Sequence, residues 1–447
     1  MQATDFYNTK ATDEKIALVL LTINDCCETT PVQQALRIQQ FKGALGEFVY
    51  VGETKTVYVG AGDGAADHLA IAQVVNRLPS GIYYSEMPLS HAAMVVWSLA
   101  QYRFDRYKTV DIQPRCLNIS STHWPRVCAE TTAIFKVRDL INAPPNVMGP
   151  KALAEALGSL ASAYGGQFQT CVGEDLLQDN YPAIHAVGRA AEEAPRLASM
   201  TWGNPAHPRV TLVGKGVCFD SGGLDIKPAS GMRFMKKDMG GAAHVIGLAE
   251  WIMMIKLPIY LNVLIPAVEN AVGSRAYRPG DVLTMRNGLT VEIDNTDAEG
   301  RLILADALVK ACEEKPDLLI DFATLTGAAR VAVGTEIAAF FTNSDEVSTA
   351  LNASAAAVDD FVWRLPLFRG YAPMIDSLVA DLSNSGASPY AGAITAALFL
   401  ERFVDASVPW IHFDIMAWNV GNKPGKPDGG EAMGMRAVAH YLMHRFG

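Results

Sequence analysis

The chain has 447 residues, half of them hydrophobic and 19% charged, which excludes a disordered protein and exceeds what one hydrophobic core usually serves. With 37 Lys and Arg against 47 Asp and Glu the formal charge is −10, which argues against nucleic acid or an anionic membrane as a partner. No segment is long and apolar enough for a membrane helix, and the polar start lacks a basic leader pattern. Seven scattered cysteines without a CxxC pair point to a reducing cytoplasm.

In chain order, residues 16–23, 48–51 and 56–59 are expected strands, and 66–78 and 91–107 expected helices. A strand over 117–120 closes a small α/β domain, residues 1–122, in which no catalytic groups cluster. Gly60, Gly62 and Gly64 follow a strand, but position 65 is Ala, so the dinucleotide-binding fingerprint fails and the segment is read as a turn. A helix over about 127–141 and the breaker Asn142-Ala143-Pro144-Pro145-Asn146 form a connector, residues 123–150. Residues 151–447 form a larger domain. Apolar runs at 210–213, 259–265, 318–320 and 410–415 alternate with helical patterns such as 242–255 and 302–312. This alternation predicts an α/β fold with a mostly parallel or mixed sheet covered by helices on both faces. Ligands of such sheets gather beyond the carboxyl ends of the strands.

Two segments carry charge where a buried sheet should have none. In the first, a strand ends at Lys215, Asp220 follows, and Gly222 and Gly223 permit tight turns before Lys227 and Asp238. In the second, Asp297 and Glu299 sit in a loop mouth at the start of a helix. Carboxylates this close repel one another unless cations lie between them, and oxygen ligands suit Mg, Mn or Zn. A lysine ligand must be neutral, which burial beside a dication favours.

Other residues in these stretches have structural readings. Asp225 and Lys237 read as solvated surface groups, Cys218 as packing, and His244 and His412 as core or supporting residues. Gly214-Lys215-Gly216 lacks the spacing of a phosphate loop.

The run Asn295-Thr296-Asp297-Ala298-Glu299-Gly300-Arg301-Leu302 is identical to the signature of the leucyl (cytosol) aminopeptidase family. The segments 213–227, 236–241, 323–328, 363–367 and 381–384 resemble other stretches of the same family, so that the resemblance covers about 133–447. It implies a variable N-terminal domain, a mixed-sheet catalytic domain, a homohexamer and a cytoplasmic enzyme acting on peptides with a free N-terminus.

The resemblance also implies two divalent ions per subunit, Mn or Zn ahead of Mg and Co. Lys215 and Asp238 would hold the tighter ion and Asp297 the more exchangeable one, with Asp220 and Glu299 touching both. Lys227 would contact the scissile carbonyl oxygen, and Arg301 would hold a bicarbonate that serves as base. The attacking group would be a hydroxide bridging the ions. Met235, Thr324, Leu325 and Gly327 would line the substrate pocket. Met416 and Asn419 stand where most relatives carry small or apolar residues, a departure that bears on side-chain preference. The competing functions are a narrow dipeptidase of the same family and, in a different class, a nucleic-acid-binding regulator on the same fold.

Overall fold

The computed structural model describes residues 2–10, 14–27, 30–108, 113–386 and 388–447. The chain divides into two compact units, residues 1–135 with 420–428, and residues 136–419 with 429–447.

In the first unit the described residues form a six-stranded sheet. The strands Ile16–Leu21, Phe48–Val51 and Thr56–Gly60 fall where the apolar runs place them. The closing strand is Arg115–Asn118, two residues earlier than expected, and pairs in parallel with Gly81–Tyr84. The helix expected to reach 107 ends at Leu99. There the Gln101 amide donates to Trp97 O and Arg115 O (both 3.0 Å), drawing the chain toward the closing strand. Gly62 and Gly64 have φ of 61° and 93° and make the expected turn.

The second unit is built on a nine-stranded mixed sheet. Its centre is four parallel neighbours, in the order Trp410–Asp414, Leu318–Ala323, Arg209–Gly214 and Tyr260–Asn270. These strands are buried almost throughout, as continuous apolar runs flanked by helices must be. Antiparallel pairs flank this centre, and beyond one of them the edge strand Val362–Arg364 pairs in parallel with Ala338–Thr342. Ala338–Thr342 runs against Trp410–Asp414, and Arg196–Trp202 runs against Tyr260–Asn270.

The helices Gly240–Met254 and Gly300–Cys312 both pack on the central strands. The first is accompanied by Pro150–Tyr164 and Met435–Phe446, the second by Pro182–Gly188 and Gly392–Glu401, so helices cover both faces. Almost every residue of Gly240–Met254 is buried, the reason its sequence is apolar on all sides. The fold is thus the expected mixed α/β sheet, and the charged loops leave it at the carboxyl ends of its central strands. Among the described residues no helix is long and apolar enough to cross a membrane.

Candidate metal centre and active site

Each charged side chain of the site is positioned by a separate local device. Lys215 follows the strand Arg209–Gly214, and its chain runs across Gly300, where a Cβ would lie 2.4 Å from Lys215 Cε. Only glycine therefore fits at the start of the helix Gly300–Cys312. Asp220 ends the strand Gly216–Asp220, after an irregular register between Val217 and Asp220. Its Oδ1 accepts from Gly222 N and from Asn270 Nδ2, both at 2.9 Å. Asp238 lies in the 3-10 turn Met235–Met239 and accepts from Thr324 Oγ1 at 2.7 Å.

The loop carrying Asp297 and Glu299 is fastened from three sides. Asn384 Oδ1 accepts from Asp294 N (2.8 Å), and Asn384 Nδ2 donates to Asn295 O (2.7 Å). Tyr277 OH and Asn270 Nδ2 both donate to Thr296 O. Asp225, although exposed, accepts from Thr296 N at 2.7 Å. Asp225 therefore ties the two motif segments together, beyond the solvated role its sequence context suggested.

These devices bring Lys215, Asp220, Lys227, Asp238, Asp297 and Glu299 around one cavity of about 220 Å³. Lys215 Nζ lies 2.7 Å from Asp238 Oδ2 and 2.9 Å from Glu299 Oε1. Lys227 Nζ lies 2.9 Å from Asp220 Oδ2 and is also paired with Asp297. One oxygen each of Asp220, Asp297 and Glu299 lie within 4.8 Å of one another.

The electrostatics are those of a site short of positive charge. Burial and then Asp220 push Glu299 up to about 8, and the same two causes push Asp297 up to about 6. Burial works to raise Asp238, but Lys215 and Lys237 outweigh it and hold its carboxyl below the usual range. Burial would lower Lys215, yet Asp238, Glu299 and Asp220 hold it above the usual lysine range.

The donors fit divalent ions. Asp238 Oδ2 and Glu299 Oε1 are buried and accept no hydrogen bond. Lys215 sits beside both but directs its hydrogen bond to Thr324 O (3.2 Å). Carboxylate oxygens whose sole neighbour is a buried amine could coordinate metal ions, whose charge would favour the ionised Glu299 and the neutral Lys215 amine.

Met235, Thr324, Leu325 and Gly327 line the same cavity. Leu325 N and Thr326 N donate to Asp414 Oδ1 at 2.9 and 3.0 Å, which fixes the loop after the strand Leu318–Ala323. Met416 is half-buried and Asn419 buried, and neither is among the lining residues. Arg301 also stays outside the lining. It is buried, donates to Asn384 O at 2.8 Å, and leaves its buried Nε without a partner. Burial lowers its guanidinium to about 10.

The histidines are structural, as expected. His244 bridges Gly240 O and Met433 N (2.6 and 2.8 Å), and His412 pairs with Asp321 at 2.6 Å in the core. Cys218 is likewise buried, with burial first among the causes that raise its thiol well above the usual range.

Lys237 departs from expectation. It is not solvated but 2% exposed, it lines the cavity, and burial lowers it to about 8 against the opposing pull of Asp238, with Arg330 and Lys215 adding to the lowering. Sequence reasoning also missed Arg330 in the lining and Asn270 and Asn384 as positioning residues. Asn384 stood in a quoted motif. Arg330 carried one signal, its place a helical turn beyond Gly327.

Comparison with known proteins agrees with this geometry. Residues 135–439 match the model of the cytosol aminopeptidase family, catalytic domain. A probable cytosol aminopeptidase of Syntrophotalea carbinolica is 39% identical over 405 residues, 85% of this chain and 81% of that protein. The crystal structure of cytosol aminopeptidase from Coxiella burnetii superposes with a TM-score of 0.95 at 43% identity, covering 99% of this chain and 100% of that one. The bottromycin maturation enzyme BotP in complex with Mn gives a TM-score of 0.87 at 31% identity, covering 98% of this chain and 100% of that one. The chain belongs to the cytosol aminopeptidase family and is a metal-dependent aminopeptidase, a metallo-exopeptidase of the hydrolase class.

Proposed function

We propose that the chain removes the N-terminal residue from peptides at a centre of two divalent ions held by Lys215, Asp220, Asp238, Asp297 and Glu299. The observation that carries this reading is the Asp220–Asp297–Glu299 carboxylate cluster, with the buried Asp238 and Glu299 oxygens met by no group but the Lys215 amine. Bound there, the ions supply a nucleophile at neutral pH and polarise the peptide carbonyl. Lys215 and Asp238 would hold one ion, Asp297 would hold the other, and Asp220 and Glu299 would serve both. Mn or Zn suits this donor set, and the Mn complex of BotP supports Mn.

Lys227 stabilises the charge that develops on the carbonyl oxygen. In the present structure its ammonium is paired with Asp220 and Asp297. With those carboxylates holding metal, the same ammonium would be free to face substrate, where such a donor is worth about 3–4 kcal/mol. Arg301, with its unpartnered Nε, is suited to hold a bicarbonate that would supply a base. Met235, Thr324 and Gly327 receive the first side chain, and the Leu325 carbonyl accepts from the substrate amine or a water. Met416 and Asn419 act, if at all, from behind this lining.

Two features support the cytoplasmic homohexamer that the resemblance implies. The relatives are named cytosol aminopeptidases. The catalytic unit also exposes large apolar side chains, among them Phe361, Trp363, Val379 and Tyr390, of the kind a subunit interface covers.

The exopeptidase reading is tested with a short peptide presented with a free and with an acetylated N-terminus. Cleavage of the first alone, one residue at a time, is expected. Internal cleavage of the acetylated peptide would overturn the reading.

A further inference from the structure

Two cations in the catalytic cavity stand outside the groups that the reaction uses. Lys237 and Arg330 both line it, Lys237 almost wholly buried and Arg330 half-buried on the helix Gly327–Val333. Among the described residues neither side chain forms an ion pair or donates a hydrogen bond. Two half-buried arginines elsewhere in this unit are ion-paired, Arg286 with Glu313 at 2.7 Å and Arg209 with Glu314 at 3.0 Å, and two others, Arg189 and Arg196, donate to backbone carbonyls.

The charge count sharpens the contrast. The cavity has four carboxylates, Asp220, Asp238, Asp297 and Glu299. With Lys215 neutral as a ligand, two divalent ions would balance them, so that Lys227, Lys237 and Arg330 would give the cavity a net positive charge. A buried ammonium whose neighbouring carboxylate, Asp238, is taken up by a metal ion is costly, and an incoming carboxylate would offset that cost.

The location selects which part of a substrate would supply it. A Cβ on Gly327 would lie 3.4 Å from Arg330 Nη2, so the guanidinium lies over Gly327. Gly327 shares the lining with Met235 and Thr324, the residues read above as receiving the first side chain. A planar guanidinium there presents the fork that suits a carboxylate.

We propose that Lys237 and Arg330 form an anion-binding subsite for the side-chain carboxylate of an N-terminal Asp or Glu, so that the enzyme favours peptides with an acidic first residue. The inference rests on the aminopeptidase reading above.

The test compares kcat/KM for Glu-, Gln- and Leu-anilides on metal-loaded protein, since Glu and Gln differ in charge and hardly in shape. Wild type should favour Glu over Gln by roughly tenfold or more, the scale of a hydrogen bond to a charged group. The ratio should fall toward one in Lys237→Met and in Arg330→Met, and Arg330→Lys should retain part of it. Independently of turnover, free glutamate should raise Tm more than free glutamine, and the difference should vanish in Arg330→Met.

Intact turnover of Gln- and Leu-anilide with no advantage for Glu would overturn the subsite and leave the aminopeptidase reading standing. A Glu-to-Gln ratio near one with Leu-Gly preferred over Leu-glycinamide would also overturn it, by moving the carboxylate to the C-terminal end of a dipeptide. No turnover of any substrate would overturn the aminopeptidase reading, and the glutamate–glutamine comparison would still decide the subsite.

Discussion

The carboxylate side of the cavity and its cation side are satisfied in different ways. On the carboxylate side every charge has an opposite within reach. Lys215 answers Asp238 and Glu299, and Lys227 answers Asp220 and Asp297. On the other side Lys237 and Arg330 face the same space without an ion pair among the described residues, and the Asp238 carboxylate that acts on Lys237 is already held by Lys215. The first arrangement belongs to a site whose resident ions take over from the lysines. The second belongs to a site that waits for a ligand carrying its own negative charge. On the proposed reading, charge balance rather than charge content would separate the groups that hold metal from those that read substrate.

The strongest way to break this division is to remove a carboxylate that serves both ions. Asp220→Ala and Glu299→Ala should each lose metal and activity together, by more than the roughly 10–100-fold typical of an outer supporting residue. Metal content by mass spectrometry alongside kcat/KM checks this, and full metal content in either variant would contradict it.

Lys227→Ala sharpens the division from within. Its expected signature is a kcat lowered by roughly 100- to 1,000-fold with both ions retained. Loss of metal with Lys227 would make it part of the metal-holding set instead.

A smaller effect is written into pH. Burial and Asp220 hold Glu299 at about 8, whereas an unfolded Glu titrates near ~4.3. Folded protein without metal thus keeps a proton that the unfolded chain releases. That contribution to stability is fully present below about pH 4.3 and is lost as pH rises through about 8. Asp297, raised to about 6, acts in the same direction over a lower window. In chelator, Tm should therefore fall from about pH 5 to about pH 8.5, and added Mn should raise it most at the alkaline end, where no proton competes. A metal-free Tm that rises across this range would contradict the assignment.

How much of this was legible in the sequence depended on how local each signal was. The central strands announced themselves as largely apolar runs, because a strand covered on both faces buries nearly every position, and the few polar ones such as Asp321 and His412 pair with each other. The edge strand Gln167–Val172 did not, since most of its residues are exposed and its pattern lacks an apolar face. The metal-side residues were readable because two short segments concentrate them, and carboxylates at such density need an explanation. Lys237 was not. Nothing in Lys236-Lys237-Asp238 distinguishes an inward lysine from an outward one until the 3-10 turn sets their directions, Lys236 to Asn142 O and Lys237 into the cavity. Asn270 and Asn384 act across long sequence separations, on Thr296 and on the loop from Asp294, which no local pattern encodes.

The smallest effect is expected at Met416, which the sequence marked as a departure and the structure leaves outside the lining. Met416→Ala should leave the ranking of aminoacyl anilides unchanged. A shift toward Leu and Phe would bring Met416 back into the pocket, where a methylene of fit is worth roughly 1–3 kcal/mol.

The most direct test of the central claim is hydrolysis of a Leu- or Glu-anilide after exhaustive chelation and dialysis, followed by return of Mn, Zn, Co or Mg one at a time. The account predicts no turnover in the stripped protein and recovery with Mn or Zn. Full activity in the presence of chelator would contradict it.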